Sequence, residues 1–286
     1  MKRIFTSLLL LIPFLTQAQT HHEIGVFAGV SNYYGDLQDK WFPTYGYKPN
    51  GGIIYKFYVH PRIGFRFGCN YSKLTAADSL SDVPVNKIRN LRFETSLFEA
   101  HAGIELNLLA VDWNRAKVSP YIFGGIAMFY TNPYTDGVHG EKVYLRPLST
   151  EGQGLTKYPD RKQYNLVNMA FPIGGGLKFF IGKTLMVGTE VGFRYTTTDY
   201  IDDVSRSYVN YDDLMSARSL QAVQLSFRSD ELPGGEATPY PNYGFQRGDS
   251  KHNDWYWFGG LSVALYLDAF GNIRDYWQTK CPRLFW

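Results

Sequence analysis

The residues best suited to acid–base chemistry in this chain are Glu99, His101 and Glu105, which alternation places on one face of an extended segment. A histidine beside a carboxylate is a common proton-transfer pair. Spacing puts no nucleophile next to them, so the plain reading is a set of charges that satisfy one another. A second concentration of oxygen ligands is Asp199, Asp202, Asp203, Asp212 and Asp213. Hard cations such as calcium take several oxygen donors, but the glycine and glutamate positions of an EF-hand loop are missing. The plain reading of 199–213 is a solvated polar loop, with cation binding left open. Gly174-Gly175-Gly176 is no phosphate loop, because no Lys-Ser/Thr pair follows and no helix is opened. His21-His22 is a weak metal signal. Cys69 and Cys281 are the two cysteines, without CxxC spacing, and whether they pair stays open. No catalytic, cofactor-binding or metal-binding residue is assigned, and no cofactor is expected.

The elements that would position these residues are strands. Period-two alternation sends successive side chains to opposite sheet faces. Residues 23–31 set Ile24, Val26, Ala28 and Val30 against Glu23, Gly25, Phe27 and Gly29. Residues 52–60 set Ile53, Tyr55, Phe57 and Val59 against Gly52, Lys56 and His60. After a turn at His60-Pro61-Arg62 comes the clearest strand, with Ile63, Phe65, Phe67, Cys69 and Tyr71 opposing Gly64, Arg66, Gly68, Asn70 and Ser72. Further strands are expected over 93–108, 119–130 (of ambiguous facing), 170–181, 185–195 and 254–266. The last of these groups Trp257, Leu261, Val263 and Leu265 on one face. That makes eight. A ninth candidate, with Val223, Leu225 and Phe227 alternating with Gln224, Ser226 and Arg228, reads as a loop ornament or else as half of a hairpin, which leaves ten possible. Links near 61, 109–117 and 183 are short. Those at 32–50, 73–92, 131–168 and 196–253 are long.

Short turns at one end and long loops at the other are the rhythm of an antiparallel up-and-down transmembrane β-barrel. The start of the chain fits export. Lys2 and Arg3 precede an apolar run from Ile4 to Leu15, then Thr16-Gln17-Ala18. Residues 1–18 read as a signal peptide, 19–266 as the barrel and 267–286 as a C-terminal tail able to cap it or dock a partner. No stretch of 18 apolar residues follows, so a membrane-embedded mature chain must be a closed barrel. Lys+Arg number 29 against 26 Asp+Glu, and no basic stripe appears, so nucleic acid is not an expected partner. Alternation alone does not say which face is inside, and a soluble barrel would show the same pattern. Glycines on the charged face, and aromatics near strand ends (Tyr55, Tyr71, Phe129, Phe193, Tyr195, Trp255, Trp257, Tyr266), favour apolar groups facing lipid.

Several segments carry a resemblance. Glu23 to Gly29 lead into Tyr33-Tyr34-Gly35-Asp36-Leu37, Pro120-Tyr121-Ile122-Phe123-Gly124-Gly125 run toward Asn132-Pro133, and Thr198 to Ser205 read TDYIDDVS. Gln246-Arg247-Gly248-Asp249 precede the final strand. Over nearly the whole mature chain this resembles the PorG-like outer-membrane β-barrel family associated with type IX secretion and gliding. Position 206 is Arg where the resemblance leads one to expect Gly. The resemblance implies a non-enzymatic protein of the cell outer membrane, an accessory or scaffold of type IX protein secretion contacting periplasmic secretion-complex proteins. Alternatives are a small structural or channel-forming outer-membrane protein, and an outer-membrane enzyme with a loop-borne site. An eight-stranded interior is expected to be filled by side chains.

Overall fold

The computed structural model describes residues 21–109, 117–182, 184–232 and 238–267. The signal-peptide expectation, the tail beyond Leu267, and Cys281 with any Cys69 pairing lie outside the described residues.

Eight long strands form the wall: β1 (His21–Tyr34), β2 (Lys48–His60), β3 (Ile63–Ala77), β4 (Arg92–Asn107), β5 (Val118–Thr131), β8 (Val167–Ile181), β9 (Leu185–Thr196) and β10 (Trp255–Tyr266). Each pairs antiparallel with the next. The β1–β10 and β3–β4 pairings close the ring, so no edge of the wall is left open. Two three-residue strands, β6 (Tyr134–Asp136) and β7 (Lys142–Tyr144), form a hairpin that continues from β4 above the wall. The sheet therefore has ten strands and the barrel eight.

The ninth strand candidate at 223–228 lies mostly in a helix of the last long loop, so it is neither a wall strand nor half of a hairpin. Helices α1 (Pro84–Arg89), α2 (Tyr211–Ala217) and α3 (Leu220–Ser226) sit in the long loops. In α3 the buried positions are Ala222, Val223, Leu225 and Ser226, a helical spacing, and the Ser219 side chain accepts from the Ala222 N–H at the N-cap. A short apolar run is compatible with either period, and contacts with Leu155, Val209 and Leu214 selected the helix.

The wall is greasy outside. Ile53, Ile173 and Leu261 are outward and exposed, while Glu23, Lys56, Arg66, Glu99, Glu105, Lys178, Glu190 and Arg194 are buried in the interior. The facing left ambiguous in 119–130 resolves with Tyr121, Phe123, Ala127 and Phe129 inward and Ile122, Ile126 and Met128 outward. His60 departs from its expected face. A register shift between Tyr58 and His60 gives the inward place to Tyr58 and leaves His60 exposed in the turn. Trp257 faces outward as expected but is only 5% exposed. The first long loop folds down over it, packing Phe42 and Tyr47 on its ring and accepting its Nε1–H at the Trp41 carbonyl, 2.8 Å away. Trp41 in turn stacks on Tyr34 at 4.1 Å between centroids.

The outer face also marks where lipid ends. On β3 the outward series Ile63, Phe65, Phe67, Cys69, Tyr71 gives way to Lys73 and Thr75. On β4 the paired positions run from Phe98 to Ser96 and Glu94. Tyr71 and Phe98 meet at 4.7 Å between ring centroids, and just above them Glu94 binds Lys73 at 3.0 Å and Lys48 at 3.2 Å. An aromatic row under a charged row is an interfacial boundary. The 16 residues of β4 span about 53 Å, rising about 40 Å once tilted, against an apolar band of about 25 Å. The long-loop end therefore stands clear of the bilayer. With both wall termini at the short-turn end, the long loops are extracellular and the protein resides in the outer membrane.

Ile53→Arg, on the lipid face with 64% exposure, is expected to destabilise the vesicle-embedded protein by about 2–4 kcal/mol. Val85→Arg, 58% exposed in α1, is expected to stay within about 0.5 kcal/mol, being in water. Denaturant unfolding in lipid vesicles measures both, and equal effects would contradict the lipid-facing assignment.

Candidate functional site

The interior is built in three tiers. At the periplasmic end Met186, Ala264 and Tyr266 pack together with Phe180. The waist holds four cations, Lys56, Arg66, Lys178 and Arg194, against four carboxylates, Glu23, Glu99, Glu105 and Glu190. Glu105 is central. It lies 3.0 Å from Lys56 and 3.8 Å from Arg66, and accepts from Lys178 and, at 2.7 Å, from the Tyr58 hydroxyl. Arg66 donates to Glu190 at 2.8 Å and lies 3.7 Å over the Phe123 ring. A void among these waist groups, lined by Arg66, Asn70, His101, Glu190 and Arg194, has about 10 Å³ of room, hardly enough for one water.

The expected acid–base group belongs to this waist. Glu99 accepts from Arg194 at 3.1 Å, Tyr256 at 2.7 Å and Asn70 at 3.1 Å, and His101 Nδ1 lies 3.1 Å from it. Glu105 lies in the separate cluster around Lys178. The pair the sequence offered for catalysis is thus bound into a sealed packing network. His22 Nδ1 meets the Tyr55 hydroxyl at 2.7 Å on the outer face. Among the described residues no group of three or more His, Cys, Asp and Glu side chains is arranged to hold a metal ion.

The acidic loop divides. Asp213 turns away on α2 to Lys157 and Tyr158, and the Asp212 backbone N–H is capped by Asn210. Asp199, Asp202 and Asp203 instead fold into the mouth of the barrel, where they join residues that spacing did not connect. The Tyr33 hydroxyl lies 2.7 Å from both Asp202 Oδ2 and Asp254 Oδ1. Asp202 accepts from the Val204 N–H and Asp254 from the Ile201 N–H. Asp203, with φ +70°, accepts from Tyr164 at 2.7 Å and from Thr150. Arg247 donates to Glu151 at 3.0 Å and to the Asp203 carbonyl at 2.7 Å. Glu151 also accepts the Ser205 and Arg206 N–H groups. Arg206 has no positive φ, so arginine in place of the expected glycine leaves this turn unstrained.

Two motif glycines are explained here by close approach. A Cβ at position 35 would run into the Tyr33 hydroxyl and Asp254 Oδ1. One at position 248 would run into Asp36 Oδ2 and the Ser205 N–H. The segments 33–37, 198–205 and 246–249 therefore meet in one buried network. Glu151 carried no signal of its own, and Asp254 carried only its place before the last strand.

Burial raises these loop carboxyls by more than the neighbouring arginines lower them. Desolvation pushes Asp199 to about 9, and Asp36 and Asp203 to about 6, although Arg247 opposes the shift at Asp203. Asp202 and Asp254 are held well above the ordinary range by desolvation and by neighbouring carboxylates.

Beside this network the loops form a cleft of about 900 Å³. Val83, Val85 and Ile88 of the α1 segment line it together with Pro239, Pro241 and Phe245, and Tyr208 and Arg247 lie among the deeper lining residues.

The fold and site define a plugged outer-membrane barrel with a structured extracellular cap. The chain belongs to the family described as a domain of unknown function, DUF6089, whose model matches residues 2–222. No curated protein matches it. Among solved structures it is similar to Neisserial surface protein A (TM-score 0.41, 7% identity, 85% of this chain and 96% of that one). The outer membrane protein OprG from Pseudomonas aeruginosa gives TM-score 0.41 and 7% identity over 86% of this chain and 96% of that one. Ail, the attachment invasion locus protein of Yersinia pestis, in complex with the heparin analogue sucrose octasulfate, gives TM-score 0.37 and 9% identity over 86% of this chain and 97% of that one.

Gly35→Ala and Gly248→Ala are each expected to cost about 1–3 kcal/mol of cap stability through overpacking. Hydrogen exchange would show faster opening of the amides of Ile201 and Val204 while the wall strands keep their protection. Unchanged exchange in the loops would contradict the close-approach account.

Proposed function

We propose that this protein is a non-enzymatic accessory or scaffold barrel of a type IX secretion system, and that its extracellular cap rather than its lumen is the surface that meets a partner protein. The observation that carries the reading is the division of labour inside the molecule. The waist is closed by a charge-balanced network, while the loops are folded into a cap with an apolar-walled cleft in water. A filled interior speaks against a channel. The binding of Glu99 and His101 into that interior speaks against catalysis there. The secretion role is supported by the resemblance of segments 33–37, 198–205 and 246–249, which fold together in the cap. A contact between the periplasmic secretion complex and the short turns belongs to the same reading.

Deleting the gene is expected to reduce export of secreted cargo, and the wild-type chain to restore it. Val85→Asp with Ile88→Asp, at exposed cleft positions, is expected to restore export several-fold less well at equal outer-membrane abundance. Arg62→Glu, in the turn after β2, probes the periplasmic face. Normal export in the deletion strain removes the secretion role. Full rescue by the cleft variant with failure of Arg62→Glu removes the cap from it. Purified protein in planar bilayers is expected to give no steady conductance.

A further inference from the structure

We propose that the cap is closed by a shared proton, held between Asp202 and Asp254 through the Tyr33 hydroxyl, and that it loosens in alkaline medium when that proton is lost.

The claim begins with a hydrogen count. The Tyr33 oxygen lies 2.7 Å from a carboxyl oxygen of Asp202 and 2.7 Å from one of Asp254. A phenol has one hydrogen and donates once. The second short contact would set lone pairs against each other unless one carboxyl carries a proton and donates to the phenol oxygen. The remaining oxygens leave no other place for it. Asp202 Oδ1 already accepts from Val204 at 2.9 Å, and Asp254 Oδ2 from Ile201 at 2.8 Å. All three side chains are buried.

No cation pairs with either carboxyl among the described residues, although the charge of Arg89 favours ionised Asp202. The nearby arginines are engaged elsewhere: Arg89 pairs with Asp78, and Arg247 with Glu151 and Asp203. None of the ion pairs among the described residues reaches Asp202 or Asp254. The other groups facing the pair are acidic. Asp36 bears on Asp202 from the first loop, and Asp199 bears on Asp254 from the fourth. Asp199 is 8% exposed, and its Oδ2 has no hydrogen-bond partner. That oxygen is tolerable on a neutral acid and unfavourable on a carboxylate. Two ionised carboxylates cannot share so dry a site without repulsion.

The contact also ties the fold together. Tyr33 lies one residue before the end of β1, Asp254 immediately precedes β10, and Asp202 lies in the loop between β9 and α2. Opening it would free the 199–204 segment from the mouth without touching the wall.

The sign follows from linkage. These carboxyls have folded values raised above the ordinary carboxylate range, so their contribution is fully present below about pH 4. It is lost as pH rises through those folded values, which desolvation and neighbouring carboxylates hold well above the ordinary range at Asp202 and Asp254. The loosening therefore falls on the alkaline side of the ordinary carboxylate range, with the wall unaffected.

Infrared spectroscopy of the full-length barrel in lipid nanodiscs gives a direct test. At pH 6 the wild type is expected to show the carbonyl stretch of a protonated carboxylic acid, fading as pH approaches 10. Asp202→Asn is expected to remove that band's Asp202–Asp254 component while its amide keeps a donor to Tyr33. Its loops should then resist proteinase K at pH 9 at least tenfold longer than wild type. Three results would overturn the proposal. One is the absence of a carboxylic-acid band at pH 6. Another is equal loop proteolysis of wild type at pH 6 and pH 9. The third is loop opening at pH 6 on adding EDTA with closure on adding calcium alone, which would put a cation where the proton is assigned.

Discussion

The structure depends on the rule that no charge buried in a dry interior can be left without a partner. A barrel whose outer wall must be greasy sends its polar side chains inward. Eight strands leave too little room to hydrate them. The answer here is neutralisation in place. Four cations and four carboxylates interlock across the lumen, helped by tyrosine hydroxyls and by guanidinium groups lying on phenylalanine faces. That network seals the waist, and once the waist is sealed the barrel is a stand for whatever its loops build.

The loops do build something. They contribute their own apolar clusters, three short helices and a hairpin continuing the wall. Where the cap meets the barrel, the chemistry changes character. Inside the wall, carboxylates face cations. At the mouth Arg247 still pairs with Glu151, but Asp202 and Asp254 meet across a tyrosine hydroxyl and accept backbone N–H groups. The carboxyl group therefore plays two roles in one molecule, a fixed counter-charge below and, on our proposal, a proton holder above, and the difference lies in which neighbours the fold supplies.

Much of the barrel was legible in the residues. The eight wall strands, their order and the short and long connections follow from alternation and turn chemistry, and so does the partition of side chains between two faces, except over 119–130, where alternation left the facing ambiguous, and at His60, which a register shift moved. The candidate site was legible in fragments. Gly35-Asp36, the 198–205 run and Arg247-Gly248-Asp249 stood out as motifs, yet nothing in them said that they meet. The aspartates of 199–213 looked like one group, and folding separated Asp212 and Asp213 from the rest. The Val223–Phe227 alternation looked like strand because a short apolar run fits two periods, and only its neighbours decided between them.

The physical division is one of range. Period-two alternation is local, since a strand's pleat fixes each side chain relative to the next. The sequence by itself therefore determined the strands, the two faces and the closed-barrel class. Which face met lipid, which carboxylate met which cation, and which glycines lie against a neighbour's oxygen depended on partners far away along the chain. Arg66 and Glu190 are 124 positions apart, and Tyr33 and Asp202 are 169 apart. Electrostatics and close packing act through space, so those matters were decided only when tertiary structure brought the distant segments together.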